Sequence, residues 1–351
     1  QGDCDDTDPA VYPGAPETPC DQVDSDCDGH GVGVQAVIGD TEYATDADAV
    51  AAAQDGDTIL LCPGIHTEQI YIDSERVLTL GSWSGDPEDT ILDGQDDHTC
   101  LYLGLGSTIE VGDLTFEHGW AEPWCAGAHC GGGIMSRASS LEVSHCVFRD
   151  NYSEDVAAGV FTYADNDLPS GIIATFEDTV FEDNEAGDHG GGVRGNGYLS
   201  ISTSFSGCSF HRNTAGGDGG GISLNGWSPL ELTVTDSTFT DNNSGISGGA
   251  IDVGTPYAPG TTTITSSTFT GNYADYNGGA VCADNQLSFE LSDSVFTENS
   301  ALYSGGGLSL AIFEEPSTAT ISACTFEHNG ADNEGGGLDF QADRDAILNI
   351  E

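Results

Sequence analysis

One spacing, repeated along two thirds of the chain, constrains its fold more than any other feature. A Phe-x-x-Asn tetrapeptide recurs at Phe148–Asn151, Phe181–Asn184, Phe210–Asn213, Phe239–Asn242, Phe269–Asn272, Phe296–Asn299 and Phe326–Asn329. An earlier copy at Phe116 has Gly119 in the Asn position. Successive Phe residues are 32, 33, 29, 29, 30, 27 and 30 positions apart. A second motif, Gly-Gly-(Gly/Ala)-aliphatic, starts at Gly131, Gly190, Gly219, Gly248, Gly278, Gly305 and Gly335, and one copy decays to Ala157-Ala158-Gly159-Val160. From Phe148 onward it begins nine residues after each Phe, whereas the Phe116 copy has an offset of fifteen, with the insertion near Cys125 and Cys130. One arc of each repeat is therefore fixed, and the other absorbs the length variation.

The fixed arc reads as short strands. Five residues before each Phe stands an apolar residue (Val143, Phe176, Phe205, Val234, Ile264, Leu291, Ile321). Two before it stands a small one (Cys146, Thr179, Cys208, Ser237, Ser267, Ser294, Cys324). Positions −2 and 0 share a strand face, but −5 is out of phase with them, so a bend or bulge is expected between. Helical periodicity is absent. A propeller blade needs about 40–45 residues, more than this repeat offers. The fold expected is an all-β parallel β-helix of roughly ten coils, its equivalent positions stacked about 4.8 Å apart. Phe would then fill the core as a column. Asn would line a turn, bonding side chain to side chain and tolerating left-handed backbone.

Charges follow the same register. At Phe+1 the coils read Glu117, Arg149, Glu182, and at Phe+2 Asp183, Arg212, Asp241, which predicts ion pairs between neighbouring coils. Stretches at 58–64, 70–72, 77–80, 90–94 and 101–103 read as two or three opening coils, and residues 44–54 as a short helix capping the open end. The division expected is 1–40, an acidic Cys-containing metal-binding segment, and 41–351, the β-helix, regular from about 113.

Composition bounds the function. The chain has 59 Asp+Glu against 6 Lys+Arg, a formal net charge of −53, and all six basic residues are Arg. Nucleic-acid tracking and polybasic membrane binding both need positive charge, so neither is expected. No apolar run is long enough to be a transmembrane helix. Eleven Cys point to an oxidising compartment, and their odd number leaves at least one thiol unpaired within the chain. Cys146, Cys208 and Cys324 share an inward column in non-neighbouring coils and read as buried small side chains, while Cys125 and Cys130 can bridge within the insertion. The chain opens inside an acidic motif and closes inside a strand-like stretch, so the lack of a leader does not indicate the cytoplasm.

The acidic motif carries the candidate metal ligands. Asp24-x-Asp26-x-Asp28-Gly29 matches the first half of a calcium loop, with oxygens at positions 1, 3 and 5 and Gly at 6. Its closing Glu is missing, since position 12 is Gln35. Asp3, Asp5, Asp6, Asp8 and Glu17 can complete the shell if the segment folds back, held by Cys20 with Cys27, or by Cys4 with either. Calcium is the cofactor expected from so many carboxylates, and zinc is disfavoured.

The paired motifs resemble those of the polymorphic outer-membrane proteins, a family of secreted bacterial surface adhesins; Phe239-Thr-Asp-Asn242 with Gly248-Gly-Ala-Ile251 is the nearest copy. The likeness covers about residues 113–351. It implies a right-handed parallel β-helix at the outer surface of a Gram-negative bacterium. Residues 1–30 resemble an acidic metal-binding motif of large surface proteins in myxobacteria-like and other Gram-negative bacteria.

An extracellular or cell-surface structural or adhesive module is therefore expected, calcium-stabilised and non-catalytic, with a protein or glycan as surface ligand. Self-association into a head-to-tail filament is the first alternative. The second is a polysaccharide lyase or hydrolase, since β-helices host both, but −53 repels uronate chains. With 59 acids, carboxylate pairs are inevitable and uninformative. Asp188-His189 at a Gly turn is the nearest approach to a catalytic signature. Loops 118–130, 163–171 and 255–260 are expected to make contacts, and Trp83, Trp120, Trp124 and Trp227 fall in turn-rich stretches.

Overall fold

A computed structural model describes residues 7–29, 31–121, 131–168, 171–254, 260–312, 317–342 and 346–351. Four sheets of thirteen, ten, eight and ten strands wrap one long core, and each coil from Phe116 to Phe326 contributes one strand to each sheet. The coil around Phe210 is representative. Ile201–Ser206 lies on the first face, Ser209–His211 on the second, Thr214–Ala215 on the third and Ile222–Asn225 on the fourth. All four pair in parallel with their counterparts one coil on. Ten stacked strands on the second and fourth faces agree with the roughly ten coils expected.

The Phe positions stack in the register expected from their spacing. Phe116, Phe148, Phe181, Phe210, Phe239, Phe269, Phe296 and Phe326 form one stacked column, with neighbouring centroids 4.5 to 4.9 Å apart. Val143, Phe176, Phe205, Val234, Ile264, Leu291 and Ile321 are buried beside it on the first face. The expected bend sits at Phe−3, where His145, Asp178, Gly207, Asp236, Ser266, Asp293 and Ala323 all have φ between 47° and 65°.

The Asn column forms a continuous ladder. Each Nδ2 donates to the next Asn Oδ1, from Asn151 to Asn184 (2.9 Å) through to Asn299 to Asn329 (2.9 Å). Each Nδ2 also donates to the carbonyl of the Phe in the preceding coil, as Asn242 does to Phe210 O at 3.0 Å. One expectation is corrected here. The left-handed residue is not Asn but its predecessor, at Asp150, Asp183, Arg212, Asp241, Gly271, Glu298 and His328. That residue takes the strained turn, leaving Asn free to aim its amide inward.

The small column at Phe−2 is a second ladder. Ser237 Oγ accepts from Cys208 N–H (3.2 Å) and donates to Thr235 O (2.8 Å), and Ser267 Oγ accepts from Ser237 N–H (3.3 Å). Cys208 Sγ reaches Ser206 O in the same way. Ser, Thr and Cys interchange because each offers a donor to the carbonyl two residues back. Burial pushes the Cys146 thiol up to about 12 and Cys208 to about 11, so both stay protonated.

Two opening coils precede the Phe repeat: Thr58–Leu61, Gly64–His66 and Ile70–Ile72, then Val77–Ser82, Thr90–Asp93 and Leu101–Leu103. The first is closed off by an antiparallel hairpin, Ala36–Ile38 with Thr41–Tyr43, paired onto Thr58–Leu61. Helix α1, Asp46–Ala52, is capped by Thr45 Oγ1, which accepts from Asp48 N–H (3.1 Å), and buries Ala49 and Val50. His66 and then Leu92 extend the Phe column toward this end. Buried His66 bonds Asp46 Oδ2 through Nδ1 (2.8 Å) and Cys62 O through Nε2 (2.8 Å). Burial alone would lower its pKa, but the bond and charge of Asp46 outweigh that and raise it.

The coil-to-coil ion pairs form only in part as expected. Arg149 Nε bonds Glu117 Oε2 at 2.8 Å, and Arg212 Nε bonds Asp183 Oδ1 at 2.7 Å. The second acid touching Arg149 is Glu88 (3.2 Å), reached two coils back, rather than its register partner Glu182.

Candidate metal centre

The first thirty residues have little apolar content and fold through polar contacts. Tyr12 N–H donates to Ser25 O (2.8 Å), and Gln22 ties the following loop through Val34 O (2.9 Å) and Gly33 N–H (2.8 Å). Cys20 is bonded to Cys62, with Cα atoms 5.1 Å apart, which staples the segment to the corner after the first strand of the first coil. This corrects the local pairing expected for Cys20: its partner lies 42 residues away, in the solenoid itself. Cys27 is also disulfide-bonded.

The fold-back brings Glu17 to Asp24 and Asp26, whose carboxylate oxygens lie within 4.8 Å of one another. Backbone donors orient them. Glu17 Oε1 accepts from Asp26 N–H (2.6 Å), Asp24 Oδ2 from Gly29 N–H (2.9 Å), and Asp24 Oδ1 and Asp26 Oδ1 from Asp28 N–H (both 3.0 Å). Glu17 Oε2 is buried with no hydrogen-bond partner among the described residues, a costly arrangement for a carboxylate oxygen unless a cation meets it. Gly31, at φ +83°, closes over it so tightly that a Cβ would lie 2.8 Å from that oxygen and 2.7 Å from Val23 O. An orphaned oxygen in a backbone cradle, flanked by two more carboxylates, fits a cation-binding role, and the all-oxygen set suits a hard ion.

The other sequence-derived candidates are placed differently. Asp28 is exposed and contributes its backbone N–H to the turn. Asp8 bonds Ala10 N–H (2.9 Å) in a turn of its own. Asp3, Asp5, Asp6 and Cys4 lie outside the described residues. So do Cys125, Cys130 and Trp124, and parts of the three expected contact loops.

Asp188 and His189 serve a corner. His189 Nδ1 accepts from Asp218 N–H (2.9 Å), and Nε2 lies 3.3 Å from Asp188 Oδ1. Sequence reasoning missed the polar column beside them on the fourth face. Arg194, only 5 % exposed, donates through Nη1 to Ser223 Oγ, while its Nε has no partner among the described residues. Burial lowers the Arg194 pKa, and burial with Asp218 and Asp284 raises that of Asp252. Alternation alone would send these side chains to solvent. The signal in the sequence was an Arg, Arg194, two residues after the Gly190-Gly191-Gly192 corner.

Three comparisons bear on identity. Residues 3–31 match the Cu-binding MopE family, a candidate metal-binding motif. Residues 90–257 match the right handed beta helix region, and residues 266–284 the Chlamydia polymorphic membrane protein repeat. No curated protein and no solved structure matches the chain. The chain is a right-handed parallel β-helix with repeats like those of the polymorphic membrane proteins, preceded by a segment similar to the MopE motif.

Proposed function

We propose that this chain is a non-catalytic structural and adhesive module of a bacterial outer surface, with calcium held by its amino-terminal segment. The observation that carries this reading is the continuity of the Phe and Asn columns. Eight Phe rings and seven Asn amides run along one axis, leaving a stiff body with variable loops on one arc. Residues 1–40 would serve as the metal-binding part and 41–351 as the rod. Ile173, Tyr198, Trp227 and Leu287 lie exposed toward the variable arc and offer contact area for a protein or glycan ligand.

The head-to-tail filament is the weaker reading, because an antiparallel hairpin and helix α1 occupy the amino-terminal end of the stack, where a further parallel coil would dock. A polysaccharide-active enzyme stays as the rival class, since the fold alone does not assign function. Two measurements test the proposal. Binding of the labelled chain to arrayed glycans and host-surface proteins should be saturable, and turnover of neutral or uronate glycans should be undetectable with or without calcium. Calorimetry in about 0.15 M salt should show calcium binding that Glu17→Gln weakens at least tenfold. Turnover of any glycan would replace adhesion with catalysis, and unchanged affinity in Glu17→Gln would remove the calcium site.

A further inference from the structure

We propose that Asp93, Glu117 and His118 form a second metal site, remote from the amino-terminal segment, that takes a zinc-type divalent cation. The three side chains offer one imidazole nitrogen and two carboxylate oxygens, all within 4.8 Å of one another. His118 Nδ1 lies 3.2 Å from Asp93 Oδ1 and 3.9 Å from Glu117 Oε1. With metal–ligand bonds of about 2.1 Å, tetrahedral donors stand about 3.4 Å apart, so these separations bracket the requirement before any ion draws the groups in.

The surroundings hold the donors in place. Glu117 Oε2 is bonded by Arg149 Nε at 2.8 Å, which fixes the carboxylate and leaves Oε1 toward the imidazole. Gly94 N–H donates to Glu117 O (2.9 Å) and Asp96 N–H to His118 O (2.8 Å), so the 93–98 turn is clamped to the strand that carries the other two ligands. A Cβ on Gly94 would come within 2.5 Å of His98 O and 2.7 Å of His118 O, so the turn cannot approach this closely with any other residue. Asp93 Oδ1 accepts from Gln95 N–H (2.9 Å), which aims it at the same point.

The stack supplies the driving force. Asp93 and Glu117 are direct partners in parallel register, and like charges placed so are destabilising. Arg149 relieves one side of this pair. On the other side stands the His118 imidazole, 3.2 Å from Asp93 Oδ1 and 3.9 Å from Glu117 Oε1. A divalent ion would neutralise the pair and use the imidazole lone pair. One nitrogen among oxygens favours a borderline ion over calcium. His118 is 43 % exposed and Asp93 20 %, so the ion has a path from solvent.

The test uses the whole chain in about 0.15 M salt, with calcium present in excess to occupy the amino-terminal carboxylates. Zinc calorimetry should show one equivalent that His118→Ala weakens at least about a hundredfold, while Glu17→Gln leaves it unchanged. Cobalt(II) in the same place should give the strong visible absorption of a low-coordinate ion. His118→Ala should keep the wild-type circular dichroism, because the side chain is half-exposed. Equal zinc stoichiometry and affinity in His118→Ala, or a cobalt spectrum of an all-oxygen octahedral ion, would overturn the site and leave His118 as a plain hydrogen-bond partner of Asp93.

Discussion

Asn242 shows how one residue type supports the solenoid. Its Nδ2 donates to Phe210 O and to Asn272 Oδ1, both at 3.0 Å, while its Oδ1 accepts from the N–H and Nδ2 of Asn213, also at 3.0 Å. No other side chain of that size offers two donors and two acceptors in one plane. Truncation to Ala would orphan several buried groups, each costing about 1–3 kcal/mol, so Asn242→Ala should lose at least about 3 kcal/mol in urea unfolding. Asn242→Asp should be worse at neutral pH, since a carboxylate cannot donate and would be fully buried. If Asn242→Ala unfolds within about 1 kcal/mol of wild type, the amides are passengers of the turn rather than its support. The Asn column and its side-chain ladder were legible from spacing alone. Its left-handed neighbour was not, because Asp, Arg, Gly, Glu and His all occupy that position, and what they share is a backbone angle.

At the scale of the coil, the Gly motif is where the backbones of neighbouring corners approach most closely. A Cβ on Gly220 would lie 2.4 Å from both Asn243 O and Gly249 O, and these are main-chain atoms that cannot swing aside. Gly330, on a strand of the third face, would meet nothing within 4 Å. Gly220→Ala is therefore expected to destabilise by several kcal/mol or prevent folding of the central coils, while Gly330→Ala should stay within about 0.5 kcal/mol of wild type. Comparable midpoints for the two would mean that the motif serves turn conformation alone. The same geometry explains what the sequence left hidden at this scale. Period and offset were enough to place the Phe column, the opening coils and the capping helix, because each is a local or periodic signal, whereas the four faces of the coil emerge only in the structure. The Cys20–Cys62 staple, the His66–Asp46 pair at the head of the Phe column and buried Arg194 are single events between distant segments. A repeat pattern contains no term for them. In the acidic segment, the spacing put Asp24 and Asp26 in one loop, but only the fold-back shows Glu17 joining them while Asp8 turns on itself.

Across the whole molecule, stacking converts a net charge of −53 into ordered rows of like charge. Glu110 and Glu142 are register partners on the first face, as Asp93 and Glu117 are on the second. Four of the six arginines, Arg76, Arg137, Arg149 and Arg212, are already spent on single acids or pairs of acids. The rod must therefore rely on its surroundings to screen the remainder. Raising sodium chloride from about 0.01 M to about 1 M shortens the screening length from about 30 Å to about 3 Å. The thermal midpoint should climb by several degrees over that range, the reverse of what a protein held by surface ion pairs would show. Calcium separates general screening from a site. At matched ionic strength, millimolar calcium should raise the midpoint further than magnesium does, since magnesium gives up its water reluctantly and prefers fewer protein ligands. In Glu17→Gln that excess should vanish while the sodium effect persists, because the variant removes one orphaned oxygen and leaves the charge rows intact. A midpoint that is flat or falling with salt would mean the rows are already neutralised within the fold, and the environment would then have no part in holding the coils together.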